Sequence, residues 1–357
     1  MPPPLDEYYI TSPPRRAAIR KERTTEDEPL VDTTAALPLR SKRTERKQKK
    51  RHQKAAATKQ YATLWDLPSE LILEILSLLR PSDIFKLSRV NHGLRNFINQ
   101  EEAQIANTVI SRRYSILAQC FPLPVLLENV DKEAHEALLD DERQVKHLHI
   151  HKKPYQHVKP PDPNLICTCL TCMLAWNNLC VIVDFAYWQG NLEKGEPIPM
   201  IPRGKFPTWN KNLTERNARV VETALHDPLW YIRILEEHLK GTVGSIRRHT
   251  KNTGNKRRRF RMTAEDAAAE TDSFLERSGP PSLDFPFHRD NYYMLEAYLP
   301  NRGWNSEVGE WRYMPSTQHE RDVEFVKAWA KRRQGERKKE GANEPRKTEG
   351  EEVKSVS

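Results

Sequence analysis

Cysteine is scarce in this sequence, with five residues among 357. An odd count that small argues against a disulfide framework and fits a chain kept in a reducing compartment. Glycine is scarce too, 13 against 26 prolines, so turns are set by the fixed φ of proline more than by flexible Gly-rich loops. Long apolar runs are missing: the longest, Leu179 to Trp188, is broken by Asp184 and falls short of the roughly 20 residues that a bilayer-spanning helix needs. The opening residues, MPPPLDEYYI, hold no apolar signal core, and secretion is not expected. The phosphate-cradling patterns G-x-x-x-x-G-K-S/T and G-x-G-x-x-G are absent, as is the nucleophile elbow G-x-S-x-G. No catalytic residue is assigned, and the expectation is a non-catalytic protein.

Charge is present, but it is unevenly placed. The chain carries 58 Lys+Arg against 49 Asp+Glu, a formal charge of +9. Residues 1–60 hold 15 basic and 8 acidic side chains, and residues 331–357 hold 9 and 6. The middle, 61–330, is left with 34 and 35 and is almost neutral. Basicity of this kind does not mark a globally basic, nucleic-acid-type fold. Both tails are poor in apolar residues and bury too little surface to offset the entropy of ordering them. Disorder is therefore expected over 1–60 and from about Gln334 onward. Within the first tail, Arg40 to Lys54 (RSKRTERKQKKRHQK) packs nine basic residues around one acid, the composition of a nuclear-import signal. The expected location is nucleus, cytoplasm or both.

From Leu64 the character changes to LWDLPSELILEILSLLRPSDIFKLSRVNHGLRNFI. Leu71, Ile72, Ile75, Leu76 and Leu79 recur with helical spacing and are read as one inner face. Pro68 stands at the helix entry, where a missing N–H costs nothing, and Arg80-Pro81 ends the helix. Ser82 or Asp83 can cap a second helix bearing Ile84, Leu87 and Val90. A third starts near Gly93 with Leu94, Phe97 and Ile98. Three such short helices cannot bury all these side chains among themselves, and Leu73 and Leu78 fall off the inner face. Something has to cover that face.

This stretch resembles the F-box. Leu67-Pro68, Glu70-Leu71, Ile75, Leu79, Pro81-x-Asp83, Leu87 and Val90 meet that family's pattern in register, while Leu94 stands where many members have Trp. The resemblance implies a three-helix element that packs on the Skp-type adaptor of a cullin–RING ubiquitin ligase. The implied adaptor contacts are Leu67, Pro68, Glu70, Leu71, Ile75, Leu76, Leu79, Pro81, Asp83, Leu87 and Val90. It covers only about a tenth of the chain and speaks for the adaptor end alone.

Beyond it, helical signals dominate: 101–120, 132–144, Leu170 to Trp188, Leu213 to Leu225, and a helix capped by Asp227-Pro228 that is expected to stop at Gly241. VKHLHIH at 145–151 alternates like a short strand, and Lys153 to Pro163 and Pro197 to Pro207 read as loops. Thr263 to Asp266 and Thr317 to Glu320 fit capping boxes. Seven of the eight Trp lie beyond residue 170, which demands a real core. No leucine-rich or propeller repeat is present. The expected fold is mainly α. An N-terminal three-helix F-box (61–100) is followed by a helical linker region (101–163), then a mostly helical, aromatic-rich, substrate-binding body (164–333), between disordered termini (1–60 and 334–357).

Three further constellations carry chemistry. Cys167, Cys169 and Cys172, with Cys180 eight residues on and His147, His149, His151 and His157 upstream, include the C-x-x-C spacing of a zinc knuckle. Buried free thiols are the plainer reading. Thr168 stands where nucleic-acid deaminases carry Pro, and five Cys are too few for the paired zinc sites of a RING. Arg247, Arg248, Lys256, Arg257, Arg258, Arg259 and Arg261 form a block free of acid, a solvated loop or a docking surface for a phosphorylated protein. Phe260 within it could stack on a base. Tyr292, Tyr293, Tyr298, Trp304, Trp311 and Tyr313 crowd one region, as core or as a shallow groove. The leading functional expectation is a substrate-recognition subunit of a Skp–cullin–F-box ubiquitin ligase. The alternative is a nuclear nucleic-acid-associated protein with the F-box as an interaction module only.

Overall fold

The computed structural model describes residues 41–57, 64–145, 156–202, 204–251, 260, 262–277, 286, 288–315 and 317–343. They fall into two compact units, 1–66 and 67–357. In the first unit the described residues form helix α1 (Lys42–Ala57) and a 3-10 turn, Leu64–Asp66. Helix α1 occupies the basic run expected to lack order. Its sequence holds no Gly or Pro, its Lys, Arg, Gln and Ala are good helix formers, and Ser41 accepts the first N–H bonds from Thr44 and Glu45. The rest of 1–60 lies outside the described residues.

The second unit is almost entirely helical. Its first three helices, α2 (Ser69–Leu78), α3 (Pro81–Leu87) and α4 (His92–Gln100), fall where the sequence places them. Pro81 does separate α2 from α3, but as the first residue of α3, and Arg80 rather than Ser82 or Asp83 is its cap residue. Val90 lies past the end of α3. Helices α5 (Glu102–Arg113), α6 (Ser115–Cys120) and α7 (Lys132–Leu138) follow, with a separate helical turn at 141–145. Val145 therefore closes a helix where a strand was expected to open, and 146–151 lie outside the described residues.

Three long helices make the centre. Helix α8 (Leu170–Lys194) is stopped by Gly195, whose φ of +72° only glycine adopts cheaply. It has the length and apolar composition of a membrane span. Here it is instead a core helix, with Trp176, Leu179, Cys180 and Phe185 buried against α9 (Thr208–His226) and α10 (Pro228–Lys251). Asp227 caps α10 through the N–H groups of Leu229 and Trp230. The helix does not stop at Gly241. A Cβ there would sit in ordinary van der Waals contact with Gln189 and Tyr298 at 3.5–3.6 Å, and the helix runs on to Lys251.

A capping box at Thr263 opens helix α11 (Ala264–Ala269). Two 3-10 turns, Arg289–Tyr293 and Leu295–Ala297, then place Tyr292 and Tyr298 in the core. A two-stranded antiparallel hairpin, β1 (Arg302–Asn305) and β2 (Glu310–Tyr313), pairs Trp304 with Trp311 and leaves both exposed. Helix α12 (His319–Asn343) is the last element. It continues about ten residues past the expected onset of disorder.

One apolar cluster runs from Ile72 and Leu76 of α2 through Val109, Trp176 and Leu235 to Leu299. Residues 105–126 contribute side chains to that core. A second, smaller cluster joins Leu127, Val130, Ala134 and Leu138 to Cys167, Cys169, Cys172 and to Val323 and Val326 of α12.

Candidate functional site

Helix α2 is apolar on two sides. Ile72 and Leu76 point inward, with 3% and 1% of their surface exposed, and Leu73 and Leu79 pack partly against the same core. Leu71, Ile75 and Leu78 form a second stripe one residue round the helix, 45%, 39% and 45% exposed, with Leu67 exposed just before it. The inner face expected from spacing alone is therefore two faces. Of the implied adaptor contacts, Leu67, Pro68, Glu70, Leu71, Ile75 and Val90 are exposed. Leu76 and Pro81 are buried inside the protein and cannot meet a partner. Leu79 and Leu87 pack partly on the core, and Asp83 is engaged by Arg80 and Lys86 at 2.7 and 2.8 Å. Leu94, the departure from the family pattern, is buried and fills the inner side of α4.

The stripe sits on a firm base. Glu236 of α10 accepts from the backbone N–H of Ser82 at 2.9 Å and from its hydroxyl at 2.7 Å, satisfying an N–H that the start of α3 would otherwise leave open. Arg113 of α5 donates to the carbonyl of Leu78 at 2.6 Å, closing the end of α2. Phe85 meets Trp230 edge to face, with centroids 5.4 Å apart. Helices α2 to α4 are thereby fixed to the long helices instead of hanging from a linker.

The body offers a cleft of about 750 Å³, walled by Gln156, His157, Ile198–Pro202 and His288–Asp290. Its Arg289 wall is held by a buried network. Asp184 of α8 accepts from Arg289 Nε at 2.8 Å and Nη2 at 2.9 Å, from the Tyr292 hydroxyl at 2.9 Å and from Asn217 at 3.0 Å. Arg289 also donates to Asn210 and lies against the rings of Trp188 and Trp209. His157 belongs here, far from its suggested role as a metal ligand, and burial pushes its imidazole down to about 4.

The basic block is only partly described. Arg247 is exposed, whereas Arg248 bonds Gln189 and lies over the Tyr298 ring. Phe260 is 3% exposed and meets Phe274 edge-on, so it is not free to stack on a base. Lys256, Arg257, Arg258, Arg259 and Arg261 lie outside the described residues.

The cysteines divide. Cys180 is buried among apolar side chains of α8, and burial pushes its thiol up. Cys167, Cys169 and Cys172 converge with one histidine among the described residues, while His147, His149 and His151 lie outside them. That histidine is His319, the first residue of α12, with the four ligand atoms all within 4.8 Å of one another. Thiol hydrogen bonds with Cys169 and Cys172 push Cys167 down, and those with Cys167 and Cys169 push Cys172 up. Spacing alone could not find His319, which is nearly 150 residues away and has no second cysteine or histidine beside it.

A model of the F-box domain matches residues 64–102, which contain α2 to α4 and the exposed stripe. No curated protein and no solved structure matches the chain.

Proposed function

The chain is an F-box domain-containing protein, and on that premise we propose that it is the substrate-recognition subunit of a Skp–cullin–F-box ubiquitin ligase. F-box domains act in protein–protein interaction, and F-box proteins are in general non-catalytic adaptors. The observation that carries the proposal is the stripe Leu67, Leu71, Ile75 and Leu78, apolar yet exposed on a firmly mounted helix. Contiguous exposed apolar surface of this kind marks a binding site. An apolar helix face entering a partner's groove is a recurrent mode of recognition. The body then presents a target to a ubiquitin-charged enzyme held by other subunits, and proximity supplies the rate. The cleft beside Arg289 and the exposed Trp304–Trp311 pair are the surfaces we assign to the target.

A Leu67→Ala, Pro68→Ala double variant tests the proposal by proximity labelling in cells. Adaptor and cullin are expected to disappear from its labelled set, while targets that the wild type sends for degradation accumulate. Adaptor labelling at the wild-type level would sink the proposal. A complex held instead by basic segments on a nucleic-acid backbone would weaken steeply with moderate salt, whereas the apolar seam should survive it.

A further inference from the structure

The second apolar cluster raises a question of what holds α12 in place. This helix contributes Val323 and Val326 as its buried residues there. Its other described ties include Ala330 packed on the same cluster, Asp322 on the N–H and hydroxyl of Thr171, and the ion pairs of Lys327 with Asp131 and of Arg333 with Glu142, whose carboxylates are 55% and 37% exposed. Ion pairs in water contribute little. Three cysteines and the first residue of that same helix lie between it and α8.

We propose that Cys167, Cys169, Cys172 and His319 bind one Zn²⁺ ion in a closed tetrahedral site that fastens α12 to the start of α8. The donor set is the one zinc takes in structural sites, three thiolates and an imidazole, with no position left open for substrate. His319 Nδ1 stands 3.4 Å from Cys169 Sγ and 3.2 Å from Cys172 Sγ. A tetrahedral ion with bonds of about 2.3 Å to sulfur and about 2.0 Å to nitrogen sets those atoms roughly 3.5 Å apart.

Two features of the surroundings support metal-bound thiolates over a mere cluster of thiols. Each sulfur receives a backbone N–H at 3.4 Å: Cys167 from Cys169, Cys169 from Cys172, and Cys172 from Val125. Outer hydrogen bonds of this kind orient ligands and stabilise their charge. The buried guanidinium of Arg143 donates to the carbonyls of Leu138 and Thr168 and to the hydroxyl of Thr168, the residue between Cys167 and Cys169. Zn²⁺ with three thiolates carries one net negative charge, and Arg143 supplies its counter-charge.

The test is a metal count on the full chain, produced in zinc-supplemented medium and purified without chelator. One zinc per chain is expected in the wild type and in Cys180→Ser, and less than a tenth in Cys169→Ser and His319→Ala. His319→Cys, which restores a fourth ligand, should recover most of it. Because a variant could lose metal by failing to fold, the wild type is also stripped with a strong chelator and titrated with Co²⁺. Thiolate-to-metal charge transfer and the visible bands of tetrahedral cobalt should appear together. Trypsin should then cut α12 at Lys327 to Arg333 several-fold faster in the stripped chain than in the zinc-loaded one. A metal-free wild type with no cobalt spectrum would overturn the site. Full zinc occupancy in His319→Ala, or cleavage of α12 indifferent to metal, would overturn the fastening.

Discussion

Glutamate at both Leu71 and Ile75 is expected to lower affinity for a Skp-type adaptor by at least 100-fold while leaving the melting temperature unchanged. Both side chains are well exposed in the free chain, and surface substitutions usually move stability by no more than about 0.5 kcal/mol. In the complex each would be a desolvated anchor, and losing such an anchor typically costs on the order of 2 kcal/mol. Two of them correspond to roughly a thousandfold in the dissociation constant if they add fully. Leu76→Ala is the contrasting control. Its side chain is 1% exposed, so its cost of about 2–5 kcal/mol should appear as lost stability. Calorimetric titration and thermal unfolding of both variants separate the two faces of one helix.

Arg289→Met is expected to be among the most destabilising single changes, by about 3–5 kcal/mol, because it leaves the Asp184 carboxylate buried without its cation. Asp184 is fully buried and would keep the hydrogen bonds of Tyr292 and Asn217 alone. A second change, Asp184→Leu, should recover much of the loss, since a buried pair replaced by apolar groups is often near neutral. Denaturant unfolding of the two single variants and the double variant reads the coupling. A loss below 1 kcal/mol in Arg289→Met would contradict this account of the cleft wall. The neighbouring His157 adds a pH dependence of defined sign. Its folded-state value near 4 lies below the ordinary 6.5, so the unfolded chain takes up a proton there that the folded chain refuses. This group's contribution is constant above about pH 6.5 and is lost as the pH falls from there toward 4.

Much of the second unit could be read from sequence, and the failures have physical causes. Pro81 marks the break between two helices because proline pushes the preceding residue, Arg80, out of the α region. The spacing of Leu71, Ile72, Ile75 and Leu76 established a helix but not its inward side. Two adjacent apolar stripes have the same period, and only the position of α5 decides that Ile72 and Leu76 face the core. Gly241 does not end α10, because a glycine inside a helix costs only about 1 kcal/mol and Thr242, Ser245 and Ile246 beyond it are buried. The Asp184–Arg289 pair left no trace in local pattern, since its members are over a hundred residues apart. The cysteine cluster was half legible. Its C-x-C-x-x-C run spans the entry and first turn of α8, but its histidine arrives on α12, and nothing local distinguishes His319 from any other first residue of a helix. The hairpin of Trp304 and Trp311 was missed because four-residue strands give too short an alternation to outweigh a crowd of aromatics.

Amide hydrogen exchange of the full chain, alone and with a purified Skp-type adaptor, tests the central claim most directly. Slowed exchange is expected across 67–79 and around Val90 when the adaptor is added, with α10 and the hairpin unchanged. Protection confined to α1 and Arg247 to Lys251, or no protection between 67 and 79, would contradict it.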